Sequence, residues 1–218
     1  MNQNLNPPIP WNNIQTLLID LDDTLYPQNN GLWDMIRVRI NQFLVNELHF
    51  SEEQAPELRT RLWKKYGTTL RGLQVEYAVD MDAYLDFVHD VPIENAISAD
   101  KKLDQLLSTL PQQKVIFTNA SAAHAQRVMK ILGVSRHFEA IVDIYALAPH
   151  CKPQVEAFQV VLDLLQTSPE SCLLIDDSPP NLSAAKALGM TTISVGSRVH
   201  EFSPHINSIH DLLGLLSP

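Results

Sequence analysis

The stretch QTLLIDLDDTLYP, residues 15–27, decides how the rest of the chain is read. Residues 15–19 form a short, largely apolar run that leads straight into Asp20, Asp22 and Asp23. Such a run, without polar alternation, predicts a strand buried on both faces of a parallel sheet. The acidic cluster then stands where that strand ends, and open α/β sheets carry their functional loops at that edge. Taken alone, the cluster also fits an acidic turn that caps a helix.

Downstream, Leu32, Met35, Ile36, Ile40, Phe43, Leu44 and Leu48 recur at helical spacing over residues 32–49. A second helix is expected over 52–66. A turn at Gly67 then leads into a polar loop, TTLRGLQ, and further helical stretches run to about residue 89. After Pro92 helices and strands alternate. Helices are expected at 101–109 and 121–132, the latter closed by Gly133. Another opens at Pro153 and runs to about 165, followed by one over 180–188 and a last one over 206–216. Strands are expected at 114–119, 140–144, 171–176 and 191–195. Alternation of this kind predicts an α/β fold with a parallel sheet and helices on both faces. Residues 1–28 and 91–218 would form the core, and 29–90 an all-helical module inserted after the first strand.

Composition narrows the function. The 218 residues are 45% apolar, enough for one substantial core with a smaller module. A formal charge of -9 argues against a nucleic-acid polymer as partner, because phosphate backbones are met by basic surfaces. Two cysteines, Cys151 and Cys172, make no disulfide framework and fit a reducing cytoplasm. The amino terminus has neither the basic region nor the apolar run of a signal peptide or anchor. No segment approaches 18 continuous apolar residues, so no membrane partner is expected.

Three polar sets fall at predicted strand ends: Asp20-Leu21-Asp22-Asp23-Thr24, Thr118-Asn119, and Asp176-Asp177-Ser178. Cys151-Lys152-Pro153 stands just before a helix. A doubly wound sheet brings such edges into one crevice. Converging carboxylates repel one another, and keeping them ionised calls for a cation. Oxygen ligands favour a hard ion such as Mg²⁺, which pairs readily with substrate phosphate. In such a site one aspartate could attack phosphorus, while a second carboxyl group protonates the departing oxygen. Thr118 is suited to bonding a phosphoryl oxygen. Lys152 is a poor electrostatic match for a helix start, which points to an anionic partner.

These motifs, DLDDT, FTN, CKP and IDDSPPN, occur in order, and with them the chain resembles the haloacid dehalogenase superfamily, in particular its phosphatases. The resemblance runs from about Gln15 to Leu216 and implies a Rossmann-like core under a helical cap. It implies a Mg²⁺-dependent phosphomonoester hydrolase working through an aspartyl-phosphate. Asp20 would be the nucleophile and Asp22 the general acid/base. The metal would be held by the Asp20 carboxylate, the Asp22 carbonyl and the Asp177 side chain, with Asp176 in support. Thr118, Asn119 and Lys152 would hold the phosphoryl group. Asn181 stands where many relatives carry Asp, which leaves its part open. The dehalogenases of the superfamily lack the second aspartate of the first motif, so Asp22 argues against that activity. Residues 22–27 and 66–73 resemble the pyrimidine 5′-nucleotidase branch. This implies a nucleoside monophosphate such as UMP or CMP, with Arg71, Tyr66 and Thr69 lining the specificity loop. The alternatives are a phosphatase for a sugar phosphate, phosphoglycolate or pyridoxal-type phosphate, and a non-catalytic phosphate-binding regulatory protein.

Other residues carry less. His124, on the helix after the second strand, is expected to be exposed or satisfied. His200 and His205 are expected at the surface, and Trp33 and Trp63 are expected to pack the cap helices together. Cys151 has no base partner that would make it a nucleophile.

Overall fold

Strand β1 (Thr16–Ile19) lies inside a parallel sheet of six strands. The computed structural model describes residues 9–196 and 204–216; the start of the amino-terminal lead-in and His200 lie outside them. The other strands are β2 (Gln113–Phe117), β3 (Ala140–Val142), β4 (Cys172–Asp176), β5 (Thr191–Val195) and β6 (His205–Ile206). Their order is β3-β2-β1-β4-β5-β6, so the chain changes direction across the sheet between β1 and β4. A crevice opens at the carboxyl ends of the strands at such a reversal. In register, Ile19 stands beside Ile116 of β2 and Ile175 of β4.

The apolar run of β1 is buried on both sides, as its sequence predicts. Leu17 and Ile19 join one cluster with Ile116, Ile175 and Ile193, while Leu18 joins the opposite cluster with Phe117, Phe158 and Leu174. Each fully buried side chain of this kind contributes roughly 1.5–3 kcal/mol.

Four helices intervene between β1 and the rest of the sheet: α1 (Leu32–Asn46), α2 (Gln54–Tyr66), α3 (Thr69–Tyr77) and α4 (Met81–His89). Helix α1 buries Leu32, Ile36, Ile40, Phe43 and Leu44, and the ring of Phe43 meets Tyr84 of α4 edge-on at 5.1 Å. The expected packing role of the tryptophans fails. Trp33 and Trp63 are 38% and 53% exposed. Each stands one residue, about 100° of helix, beyond a buried leucine at 32 or 62.

The remaining helices are α5 (Lys101–Thr109), α6 (Ala122–Leu132), α7 (Val155–Leu165) and α8 (Pro179–Ala187). Helix α7 starts two residues later than its proline suggests. Residues 151–154 form a turn instead, with the Cys151 N–H bonded to Gln154 Oε1 at 3.0 Å and the Gln154 N–H to the Cys151 carbonyl at 2.9 Å. The last expected helix also starts late. Ile206 extends the sheet and accepts a bond from the Gly196 N–H, so helical turns, of the 3-10 kind, begin only at Ile209. Ser208 and Asp211 close their start with a capping box. Among the described residues no helix is long and apolar enough to cross a membrane.

Candidate active site

The end of β1 delivers Asp20 to the sheet edge, where its N–H bonds the Ile175 carbonyl of β4 at 2.9 Å. Asp20 as a whole is 8% exposed. Facing it is Lys152, 1% exposed, aimed inward by the turn before α7. The Lys152 ammonium donates to Asp20 Oδ1 at 2.8 Å, Asp176 Oδ2 at 2.9 Å and the Phe117 carbonyl at 2.7 Å. All three of its hydrogens are thus used. Burial alone would lower the Lys152 pKa, but the charges of Asp176 and Asp20 hold it well above the ordinary lysine range.

Asn119 sits just past the end of β2 and clasps the Lys152 backbone. Its Oδ1 accepts from the Lys152 N–H and its Nδ2 donates to the Lys152 carbonyl, both at 2.9 Å. The side chain expected to hold phosphoryl oxygens therefore grips the lysine loop. Thr118 is buried in the same edge, and its hydroxyl accepts from the Ala120 N–H at 3.0 Å. Its own hydrogen remains available for an anion.

Asp20, Asp176 and Asp177 each offer an oxygen within 4.8 Å of the others. Asp176 is saturated. Its Oδ1 accepts from the Ser178 N–H at 2.8 Å, Lys152 bonds Oδ2, and Asn181 Nδ2 bridges both oxygens at 3.0 Å. It anchors Lys152 and has little left to offer an ion. Asp177 is less buried and accepts from Gln28 Nε2 at 3.2 Å. Asp20 stands well above the ordinary carboxylate range. Burial contributes most; Lys152 pulls the other way, and the charges of Asp176 and Asp177 add to the rise. A second cation beside Asp20 and Asp177 would relieve this excess of negative charge, and an all-oxygen donor set suits Mg²⁺.

Asp22 has a separate setting. Tyr26 O–H donates to its Oδ1 at 2.5 Å, and His124 Nε2 approaches the same oxygen at 3.3 Å. Burial would raise Asp22, but the His124 ring and the Tyr26 hydrogen bond bring it below its ordinary value. His124 is buried against the site rather than exposed, with Nε2 on Asp22 and Nδ1 without a partner. It lies on the first turn of α6, where a helix start after β2 meets the same sheet edge.

Arg71, Tyr66 and Thr69 are not a loop set. Arg71 lies on the first turn of α3, capped by Thr68, and is buried. Its guanidinium donates to Gln74 Oε1 at 2.7 Å and to the His150 carbonyl at 3.1 Å, while Nε is buried without a partner. Tyr66 bonds Glu76 at 2.8 Å and Thr69 bonds the Arg59 carbonyl at 3.5 Å, so both hydroxyls are used between α2 and α3. The turn between these helices rests on the lysine loop. A Cβ at Gly67 would stand 2.8 Å from the Lys152 carbonyl oxygen, and its φ of +88° favours glycine independently. Cys151 is buried, donates its S–H toward the Tyr66 carbonyl at 3.2 Å, and is raised by burial, so it is no poised nucleophile.

A family model described as haloacid dehalogenase-like hydrolase matches residues 14–189. The chain is 28% identical over 191 residues to phosphate metabolism protein 8 of Saccharomyces cerevisiae, covering 81% of this chain and 60% of the yeast protein's length. It is 24% identical over 221 residues to pyrophosphatase PpaX of Listeria monocytogenes, covering 93% and 96%. Among solved structures, the hydrolase YfnB of Bacillus subtilis bound to magnesium superposes with a TM-score of 0.61 at 20% identity, covering 94% of this chain and 99% of that one. The parallel sheet, the order of the motifs along it and the extent of the family match agree: the chain belongs to the haloacid dehalogenase-like hydrolases.

Proposed function

We propose that the chain is a Mg²⁺-dependent phosphomonoester hydrolase in which Asp20 is the nucleophile and Asp22 the general acid and base. The observation that carries this reading is the buried pairing of Asp20 with Lys152, beside an Asp22 held by different partners. Two carboxyl groups in unlike settings can take unlike roles. Burial raises Asp20 and its partners lower Asp22, so Asp20 needs the ion beside it to stay ionised, and Asp22 takes its proton when phosphoryl charge arrives next to it. An Asp20 oxygen attacks phosphorus as the ester P–O bond breaks, and Asp22 gives its proton to the departing oxygen. Water then attacks phosphorus, Asp22 recovers a proton from it, and the Asp20–phosphorus bond breaks to release inorganic phosphate. With its hydrogens on Asp20, Asp176 and the Phe117 carbonyl, Lys152 offsets phosphoryl charge through space, and the Thr118 hydroxyl donates to a phosphoryl oxygen. Asp20, Asp177 and the Asp22 carbonyl would hold the ion, with Asp176 fixing Lys152 behind them. Bound there, magnesium would neutralise phosphoryl charge and help align the ester. The yeast relative is a phosphate metabolism protein and the Listeria one a pyrophosphatase, which supports phosphoryl hydrolysis as the class.

Residues 29–90 would serve as the cap that excludes water and meets the rest of the substrate. For that part we propose a nucleoside monophosphate, with a pyrimidine base favoured. Support comes from the buried, unbonded Nε of Arg71 and from half-exposed Trp33, which lines a recess with Asp23, Gln28 and Arg37 and could stack on a base. The committed hydroxyls of Tyr66 and Thr69 favour a second reading, another small phosphate such as a sugar phosphate, phosphoglycolate or pyridoxal phosphate. Two free, buried cysteines agree with a reducing cytoplasmic setting.

The test is hydrolysis of UMP, CMP, AMP, a sugar phosphate and pyridoxal phosphate, with Mg²⁺ and with EDTA. Turnover should need Mg²⁺, be fastest on the pyrimidine monophosphates, and vanish in Asp20→Asn with the fold retained. Turnover in Asp20→Asn close to the parent would remove the nucleophile. Inactivity of the parent on every ester would remove the class.

A further inference from the structure

We propose that His124 is a positioning residue for Asp22, holding its carboxyl group so that Oδ2 faces the departing oxygen, with His89 steadying the His124 ring. This inference rests on the reading of Asp22 as general acid and base. It starts from a ring that sits deep in the protein and has one outward task. His124 is 1% exposed, and its backbone N–H is fixed by the Ser121 hydroxyl at 3.3 Å. Its Nδ1 is buried without a hydrogen-bond partner. A buried lone pair left unbonded is tolerated better than a buried N–H left unbonded, which assigns the hydrogen to Nε2. That hydrogen points to Asp22 Oδ1 at 3.3 Å.

Tyr26 donates to the same Oδ1 at 2.5 Å. With two donors on one oxygen, a transferable proton belongs on the other. Oδ2 of Asp22 takes no hydrogen bond among the described residues. The carboxyl group is therefore held at one end and free at the end that chemistry needs. The side chain keeps 17% of its surface exposed, which is room for a leaving group to reach it.

The ring itself is braced. His89, the last residue of α4, stacks on His124 with ring centroids 4.2 Å apart and planes 17° from parallel. Its Nδ1 meets the Ser121 hydroxyl at 3.2 Å. Arg127, one turn further along α6, donates to the His89 and Val91 carbonyls, both at 2.9 Å. The end of α4 and the start of α6 thus converge to fix one imidazole. A ring that merely filled the core would not need its single N–H aimed at Asp22.

A structural histidine and a positioning one differ in how they depend on the leaving group. A nitrophenolate leaves without a proton, whereas an alkoxide needs one, so loss of Asp22 alignment slows the two esters unequally. The experiment follows the first turnover of 4-nitrophenyl phosphate and of an alkyl phosphate by rapid quench, with Mg²⁺, in four proteins. These are the parent, His124→Phe, His124→Ala and His124→Gln. Phenylalanine keeps the stack on His89 and loses the donor; glutamine keeps a donor. Circular dichroism and thermal melting report whether each variant is folded.

We expect the folded donor-less variants to lose about tenfold to hundredfold more on the alkyl ester than on the nitrophenyl ester. That is a share of the ~10²–10⁴ that general acid catalysis supplies. His124→Gln should recover most of the difference. Equal losses on both esters, or no loss, would overturn the assignment while leaving the phosphatase reading intact. A parent protein inactive on both esters would overturn that reading, and this one with it.

Discussion

Replacing Lys152 with methionine should show how much of the site is held by one ammonium group. Lys152 is 1% exposed and makes three bonds of 2.7 to 2.9 Å, two of them to carboxylates. Methionine fills similar space but leaves Asp20 and Asp176 facing each other without a counter-charge. Breaking a buried ion pair from one side costs about 3–5 kcal/mol. There is also a ceiling. One carboxyl can take a proton instead, and at pH 7 that costs about 4 kcal/mol for a group with an ordinary pKa near 4. The two figures agree, so a loss of about 3–4 kcal/mol at pH 7 is expected. The protein should still fold, since domains hold roughly 5–15 kcal/mol. The sign with pH follows from linkage. Losing the lysine raises the folded-state carboxylate pKa further, and such a group loses stability as pH rises. The deficit should therefore shrink on acidification, by up to about 1.4 kcal/mol per pH unit. Urea unfolding of parent and variant at pH 7 and pH 5 in EDTA measures both. A deficit under about 1 kcal/mol, or one equal at both pH values, would refute the reasoning.

Other outcomes follow from the same geometry. Gly67→Ala places a Cβ 2.8 Å from the Lys152 carbonyl oxygen at a φ of +88°. About 2–4 kcal/mol of stability should be lost, with turnover reduced beyond that because the lysine loop shifts; urea unfolding and kcat check it, and parent-like values of both would sink it. His89 is pushed down to about 3, mainly by burial and then by the neighbouring His124. It stays neutral when folded but gains a proton unfolded, so its share of stability is present above its ordinary 6.5 and is lost as pH falls toward 3. His89→Leu should flatten the pH dependence of stability in that window by up to about 1.4 kcal/mol per unit, read from denaturant midpoints. If the proposed nucleotide substrate holds, Arg71→Ala should cost kcat/KM on UMP at least tenfold more than on 4-nitrophenyl phosphate, a difference of about 1.4 kcal/mol. Equal losses would take Arg71 out of substrate selection.

Much of the core could be read directly from the sequence because short-range physics decides it. Leu17, Leu18 and Ile19 have no polar partner in their run, and only a strand covered on both faces satisfies all three. Asp20, Lys152 and Asp176 were identifiable as strand-end and helix-start residues, and the fold brings them within hydrogen-bonding distance. What escaped depends on contacts remote in sequence. His124 reaches Asp22 across 102 residues, and nothing local marks that contact. The segment around Arg71 reads as a loop in sequence because Gly67, Gly72 and its threonines are turn-forming types. Thr68 is in fact the cap of α3, and Gly72 is there for closeness: a Cβ on it would lie 2.7 Å from Leu62 of α2. The same residue types serve turns, caps and tight helix contacts, and only packing tells them apart.

The position of β1 within the sheet has a consequence for synthesis. This strand leaves the ribosome before both its neighbours, residues 113–117 and 172–176. While α1 to α4 emerge, they can form from nearby contacts, but Leu17, Leu18 and Ile19 have no sheet to join. Loop closure across such spans is slow, and an apolar strand waiting for partners is prone to aggregate. The strand that carries Asp20 is thus made before either neighbour and secured after both. A nascent chain stalled before residue 172 would carry most of the helices, a first strand open along its β4 edge and no assembled site.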